Sequence, residues 1–151
     1  MKTLSFTPLV AVLVGSAMLP PLALAANKDA ADAVQSATRG KLKLGQGRVK
    51  DQECGQQIEY ETQAIDLNGD GQLEVMTKEY GACFGMAGVQ MNLYIKDKAG
   101  QWQPQFGFPG EPNLLTAKKH GFPDIEVLGP GQCFPVWRYN GTAYQLHKRC
   151  P

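Results

Sequence analysis

Hydrophobic and polar residues alternate along most of this chain after its first forty positions, which is the pattern of half-buried strands. Ile58-Glu59-Tyr60-Glu61-Thr62-Gln63-Ala64-Ile65 alternates broadly, and Leu73-Glu74-Val75-Met76-Thr77 does so less cleanly. Val89 to Ile95 alternates imperfectly, and Asp97-Lys98-Ala99-Gly100 turns it into Gln101-Trp102-Gln103-Pro104. Ile125-Glu126-Val127 and Val136-Trp137-Arg138-Tyr139 predict further strands. Asn140-Gly141 predicts a two-residue hairpin turn before an aromatic strand at Tyr144. Asn140-Gly141-Thr142 also has the form of a glycosylation acceptor, read here as a turn only. Only Asn27 to Gly40 suggests a helix: alanines favour it, Asp29 can cap it and Gly40 can stop it. Lys41 to Arg48 is basic and punctuated by glycine, a strand or a solvated tether. Gly107-Phe108-Pro109-Gly110-Glu111-Pro112 and Lys118 to Asp124 read as proline-ordered connections.

The strands fall into two similar blocks. Leu73-Glu74-Val75, Gly81-Ala82-Cys83-Phe84, Leu93-Tyr94-Ile95 and Gly100-Gln101-Trp102 match Ile125-Glu126-Val127, Gly131-Gln132-Cys133-Phe134, Val136 to Tyr139 and Gly141 to Tyr144. The offset is 52 residues from Leu73 to Ile125 and 50 from Cys83 to Cys133. A period of that size is given by blade-like β units. The predicted fold is mainly β: a small antiparallel sheet or sandwich of two blade-like units with a short N-terminal helix.

Residues 1–25 change the compartment. Lys2 is followed by an apolar run from Leu9 to Leu19, and Ala23-Leu24-Ala25 offers a small-x-small cut. This is the pattern of a secretory signal peptide cleaved after Ala25. The run is too short to span a bilayer and Pro20-Pro21 interrupts it. Residues 26–151 then form one exported domain, periplasmic or secreted, with 14 basic and 14 acidic residues once Lys2 is gone. That balance argues against a nucleic-acid partner, which wants a basic face. It equally gives no reason to expect an anionic membrane surface as partner, and no later stretch is apolar enough to suggest membrane insertion.

All four cysteines lie in the exported part. Cys54, Cys83, Cys133 and Cys150 are widely spaced, which predicts two disulfides rather than a zinc or redox motif. Three pairings are open. The repeat favours Cys83 with Cys133, stapling equivalent positions of the two units, and Cys54 with Cys150, tying the ends.

Candidate chemistry concentrates in Asp66-Leu67-Asn68-Gly69-Asp70-Gly71-Gln72-Leu73-Glu74. Oxygen-bearing side chains stand at positions 1, 3, 5 and 9, and a glycine at position 6. This arrangement wraps a hard cation such as Ca2+, with Asp66, Asn68, Asp70 and Glu74 as side-chain ligands and Gln72 through its carbonyl. Position 12 is Thr77, so the bidentate glutamate of a helix–loop–helix site is absent and Glu74 substitutes. A metal-free turn uses the same Asn-Gly and Asp-Gly pairs. The stretch from Asp66 to Val75 resembles the calcium loop of FG-GAP and VCBS-type repeats. That resemblance implies a β context and an ion-binding loop. It covers this segment alone: there is one such loop, and no Phe-Gly…Gly-Ala-Pro signature precedes it.

Enzyme chemistry finds little support. The exported part has one serine, Ser36, in the predicted helix, and its histidines, His120 and His147, form no metalloprotease pattern. The expectation is a non-enzymatic protein. Small exported β proteins stapled by disulfides resemble, in architecture, immunity or inhibitor proteins that block cell-wall-degrading enzymes. The resemblance implies a protein partner met by one of the two Pro/Gly-aromatic loops, with Phe108, Glu111 and His120 as partner-binding candidates. The alternative is a structural or adaptor domain binding an envelope or cell-wall component through Trp102, Trp137 or Tyr144.

Overall fold

The computed structural model describes residues 21–150. The apolar run of the expected leader lies outside the described residues. A helix, α1 (Pro21–Ala37), is followed by ten antiparallel strands. The first six are β1 (Gly45–Lys50), β2 (Gln57–Ile65), β3 (Glu74–Tyr80), β4 (Val89–Lys96), β5 (Trp102–Pro104) and β6 (Phe108–Pro109). They form one sheet in the order β1-β2-β3-β4-β5, with β6 also on β4. The other four are β7 (Glu111–Lys119), β8 (Phe122–Leu128), β9 (Val136–Tyr139) and β10 (Tyr144–Lys148), in a second sheet ordered β10-β9-β8-β7. Each sheet is a sequential meander, so the two blade-like units of the repeat are the two sheets.

Strand alternation gives the first sheet two buried faces. Met76 of β3 and Met91, Leu93 and Ile95 of β4 point to the second sheet and meet Phe122, Ile125, Val127, Tyr139 and Tyr144. Phe106 packs edge-on against Trp137, with ring centroids 5.5 Å apart. Val75, one residue from Met76, points the other way and packs with Tyr60, Leu42, Val34 and Ala37 beneath α1. The layers are therefore helix, sheet, sheet, with two cores. Near-continuous burial of β3 follows from its central place between them.

Several sequence expectations need correction. The helix does not start at an Asp29 cap: it runs from Pro21 to Ala37, and the expected cut after Ala25 falls inside it. The 107–112 and 118–124 segments are mostly strand, because β6 pairs with β4 and β7–β8 is a hairpin closed by His120-Gly121 alone. Both turn residues have positive φ, 52° and 83°, as a two-residue turn matched to strand twist requires. The Asn140-Gly141 turn is longer than expected. Tyr139 pairs with Tyr144, and the Asn140 side chain accepts from the Thr142 and Ala143 N–H groups in the loop between.

The disulfides also depart from the expected pairing: they join Cys54 to Cys83 and Cys133 to Cys150. The reason is topological. In a meander, alternate connections lie at the same end of the sheet. Cys54 is in the β1–β2 turn and Cys83 in the β3–β4 connection, 6.0 Å apart at Cα. Cys133 is in the β8–β9 connection and Cys150 just past β10, 5.6 Å apart. Each bridge closes its own sheet, and equivalent cysteines of the repeat never meet.

Lys41, in the segment read as a strand or a solvated tether, stays partly exposed but reaches the helix-facing side of β3. Its ammonium donates to Glu79 Oε2 at 2.6 Å and stands 3.6 Å from Asp51. Burial pulls the Lys41 pKa down, but Glu79 and Asp51 outweigh it and the net direction is up. The Glu79 side chain is almost wholly buried. Removing its partner by Lys41→Met should therefore destabilise the fold by about 2–3 kcal/mol, below the usual range for a fully buried pair because Lys41 is partly exposed. Urea denaturation of Lys41→Met against the double variant with Glu79→Leu checks this. The double variant should recover most of the loss, and no recovery would mean that Lys41 stabilises through something other than Glu79.

Candidate functional site

The β2–β3 loop is the nine-residue stretch that the sequence singled out, and it joins two strands as expected. Its local structure comes from short side chains that accept backbone N–H groups. Asp66 Oδ1 accepts from Gly69 N at 2.7 Å and Asp70 N at 3.1 Å, and its Oδ2 accepts from Gly71 N at 2.8 Å. Asn68 Oδ1 accepts from Asp70 N, and Asp70 Oδ1 from Gln72 N. Gly69 and Gly71 have φ of 82° and 84°, a region that a side chain would penalise. These N–H groups, Gly71 first, hold the Asp66 carboxyl below its ordinary range.

Glu74 is different. It opens β3 on the face shared with Met76, is only 3 % exposed, and accepts from Leu67 N at 2.8 Å. Burial, followed by repulsion from Asp70 and Asp66, pushes its pKa up to about 7. Tyr139 and Tyr144 of the second sheet lie close enough to feel its charge.

The second sheet completes this end of the molecule. A methyl group on Gly121 would sit 3.1 Å from the Asn68 carbonyl oxygen, and one on Gly141 would sit 3.6 Å from His120 Nε2. The acidic loop, the His120-Gly121 turn and the β9–β10 loop are thus gathered together. His120 belongs to this cluster. Glu111, at the opposite end of β7, does not: nine residues of strand separate them by roughly 30 Å. The Glu111 carboxylate is engaged by the Lys78 ammonium. Phe108 lies in β6, paired with Met91. The first candidate segment thus runs from β6 of the first sheet into the start of β7, while the second closes the far end of β7.

The donor set suits a hard cation: three carboxylates and an amide oxygen on one loop, with a buried carboxylate whose charge is resisted by its neighbours. Asp66, Asn68, Asp70, Gln72 and Glu74 are the residues that would hold it. The side chains are engaged with the backbone. Among the described residues, the one set of three Asp, Glu, His or Cys side chains whose ligand atoms all lie within 4.8 Å is Asp51 with Cys54 and Cys83. Those two sulfurs are in the disulfide. Closing Asp66, Asp70 and Glu74 on one ion thus requires the loop to contract.

Sequence reading missed one exposed feature. A 3-10 turn, Ala82–Ala87, follows β3, and its Met86 is 90 % exposed. Gly85 and Gly88, both with positive φ, flank it, and Cys83 anchors its root to Cys54. The signal was present as Gly85-Met86-Ala87-Gly88, a methionine between glycines beside a cysteine. The aromatic candidates for polymer stacking are spent elsewhere. Tyr144 is buried with its hydroxyl donating to Pro123 O, Trp137 packs on the core, and Trp102 is half-buried with the Lys96 ammonium 4.8 Å from its ring centre.

Among the described residues no helix is long and apolar enough to cross a membrane. The fold and site together define a class: a disulfide-stapled protein of two antiparallel meanders backed by one helix, with an acidic Asx-rich loop at one end. No protein-family model, curated protein or solved structure matches the chain.

Proposed function

We propose that this chain is an exported, non-enzymatic binding protein that engages one protein partner, a cell-wall-degrading enzyme, as an inhibitor or immunity protein does. The observation that carries this reading is Met86: a large apolar side chain held out in solvent on a turn rooted in a disulfide. A protein partner buries such an anchor at the centre of a contact, and bracing the turn beforehand lowers the entropy lost on binding. The reading adds Met86 to Phe108, Glu111 and His120 as contact candidates. Calcium in the acidic loop serves as a structural brace between β2, β3 and the His120 turn. It follows the resemblance to FG-GAP and VCBS-type loops in that one segment. Two disulfides are compatible with export. The adaptor reading is weaker, because Trp137 and Tyr144 are consumed by the core.

The test is a pull-down from periplasmic extract with the oxidised protein, in calcium and in chelator, read by mass spectrometry. The expected result is one wall-degrading enzyme at one-to-one stoichiometry, with recovery reduced at least about tenfold by Met86→Asp. Recovery of envelope polymer only, or of nothing, would overturn the inhibitor reading. Undiminished recovery with Met86→Asp, but loss with His120→Ala, would move the contact to the acidic-loop end.

A further inference from the structure

A cavity of about 750 Å³ opens between the end of α1, the β1–β2 turn and the turn that bears Met86. That volume lies within the range of small-molecule sites. Its walls carry Arg39, Lys41, Lys50, Asp51, Glu53 and Glu79, and the Cys54–Cys83 bridge closes one side. The charges are not mixed at random. Lys41 is shared by two carboxylates, Glu79 at 2.6 Å and Asp51 at 3.6 Å, so this group holds one negative charge in excess. Glu79 is 4 % exposed, and its other oxygen accepts only a long bond from Asn92 Nδ2 at 3.4 Å. Arg39 and Lys50 outnumber Glu53 on the remaining wall.

We infer that this cavity binds a small zwitterion, a free amino acid or a short peptide, with its ammonium at Asp51 and Glu79 and its carboxylate toward Arg39 and Lys50. Charge-assisted hydrogen bonds at both ends are the physical basis of such recognition. Asp51 is suited to hold the ammonium because it remains ionised. The Cys54 N–H foremost, then the Glu53 N–H and Lys41, keep its carboxyl below the ordinary range. On the same face of β3, behind the cavity wall, the Thr77 hydroxyl, two residues from Glu79, is fully buried with no hydrogen bond. The helix-facing side of the sheet thus holds more polar capacity than its own side chains satisfy, where an apolar core would serve stability alone. The acidic loop takes no part in this cavity, and Met86 is not among its lining residues although its turn forms one side. Ligand titration and partner capture are therefore separate readouts, and the inference does not depend on the inhibitor reading.

The experiment is amide-resolved NMR titration of the oxidised protein with L- and D-amino acids and dipeptides, beside their N-acetylated and C-amidated forms. Saturable shifts should appear at the amides of Arg39, Gly40, Asp51, Cys54 and Gln90. N-acetylation should abolish them, and Asp51→Asn, which keeps an oxygen for the turn N–H groups, should weaken binding about tenfold. Lys50→Gln should weaken the parent ligands but leave C-amidated ones unchanged. Free amino acids and dipeptides are separated by which series saturates. Absence of saturation up to about 10 mM, a concentration that still detects very weak sites, would overturn the inference. So would equal binding of the N-acetylated forms.

Discussion

The double variant Cys54→Ser/Cys83→Ser is expected to lose about 3–4 kcal/mol of stability, a drop in Tm on the order of 10 °C. The bridge closes a separation of 29 residues that includes all of β2 and β3. In the chain-entropy account, cutting it frees the unfolded ensemble more than the folded state. The Cys133–Cys150 bridge closes 17 residues, and its loss should cost about half a kcal/mol less on the same logarithmic dependence. Urea denaturation of both double variants, each retaining the other bridge, measures the two terms. A loss below about 1 kcal/mol for the first pair would show that strand pairing alone holds that end of the sheet. The same variant tests the proposed contact. Unbracing the 82–87 turn should weaken partner capture even at temperatures where the fold persists, because Met86 then has to be ordered on binding.

Glu74→Gln should change the sign of its effect with calcium. In chelator at pH 8 the variant is expected to be more stable than the parent by on the order of 3 kcal/mol. The folded-state pKa of Glu74, about 7, stands above its ordinary 4.5. The folded chain therefore prefers the protonated form. Below about pH 4.5 the group carries no penalty; stability falls as pH rises from there through about 7, and the full penalty applies above. Asp66 and Asp70 are the charged groups that oppose its ionisation, after burial. Glutamine keeps an oxygen for the Leu67 N–H and has no charge to bury. With calcium at millimolar levels the order should invert, because the parent gains a cation against three carboxylates and the variant loses a ligand. Thermal melts of both proteins across pH 4 to 9, in chelator and in calcium, decide it. A parent Tm that calcium leaves unmoved would sink the metal reading and keep the loop as a turn. Asp66→Ala would be a poor probe: its carboxylate holds three loop N–H groups and would destabilise the turn in either condition.

What could be read in advance was local. The β2, β3, β4 and β8 strands follow from alternation, and the Asx-rich loop from residues within nine positions of one another. A side chain such as Asp66, which bonds N–H groups three to five residues on, leaves its mark in adjacent sequence. The limits of α1 were less legible because its early residues belong to a segment read as leader. His120-Gly121 looked like part of an open loop, since positive φ is uncommon for any non-glycine residue and histidine, though enriched there, does not by itself mark a two-residue turn.

The amino-acid sequence by itself determined a mainly β chain of two repeated units, an acidic turn between two of its strands and four cysteines in the part that follows the expected leader. These depend on the period of apolar residues and on turn chemistry, both short-range. Tertiary structure alone decided which cysteines meet, because pairing depends on which ends of a meander face the same way. It alone brought Lys41 to Glu79 across 38 residues, set Gly121 against Asn68, and left Met86 in solvent rather than in either core. Each of those outcomes follows from stacking helix, sheet and sheet so that β3 is covered on both faces, an arrangement that no single segment specifies.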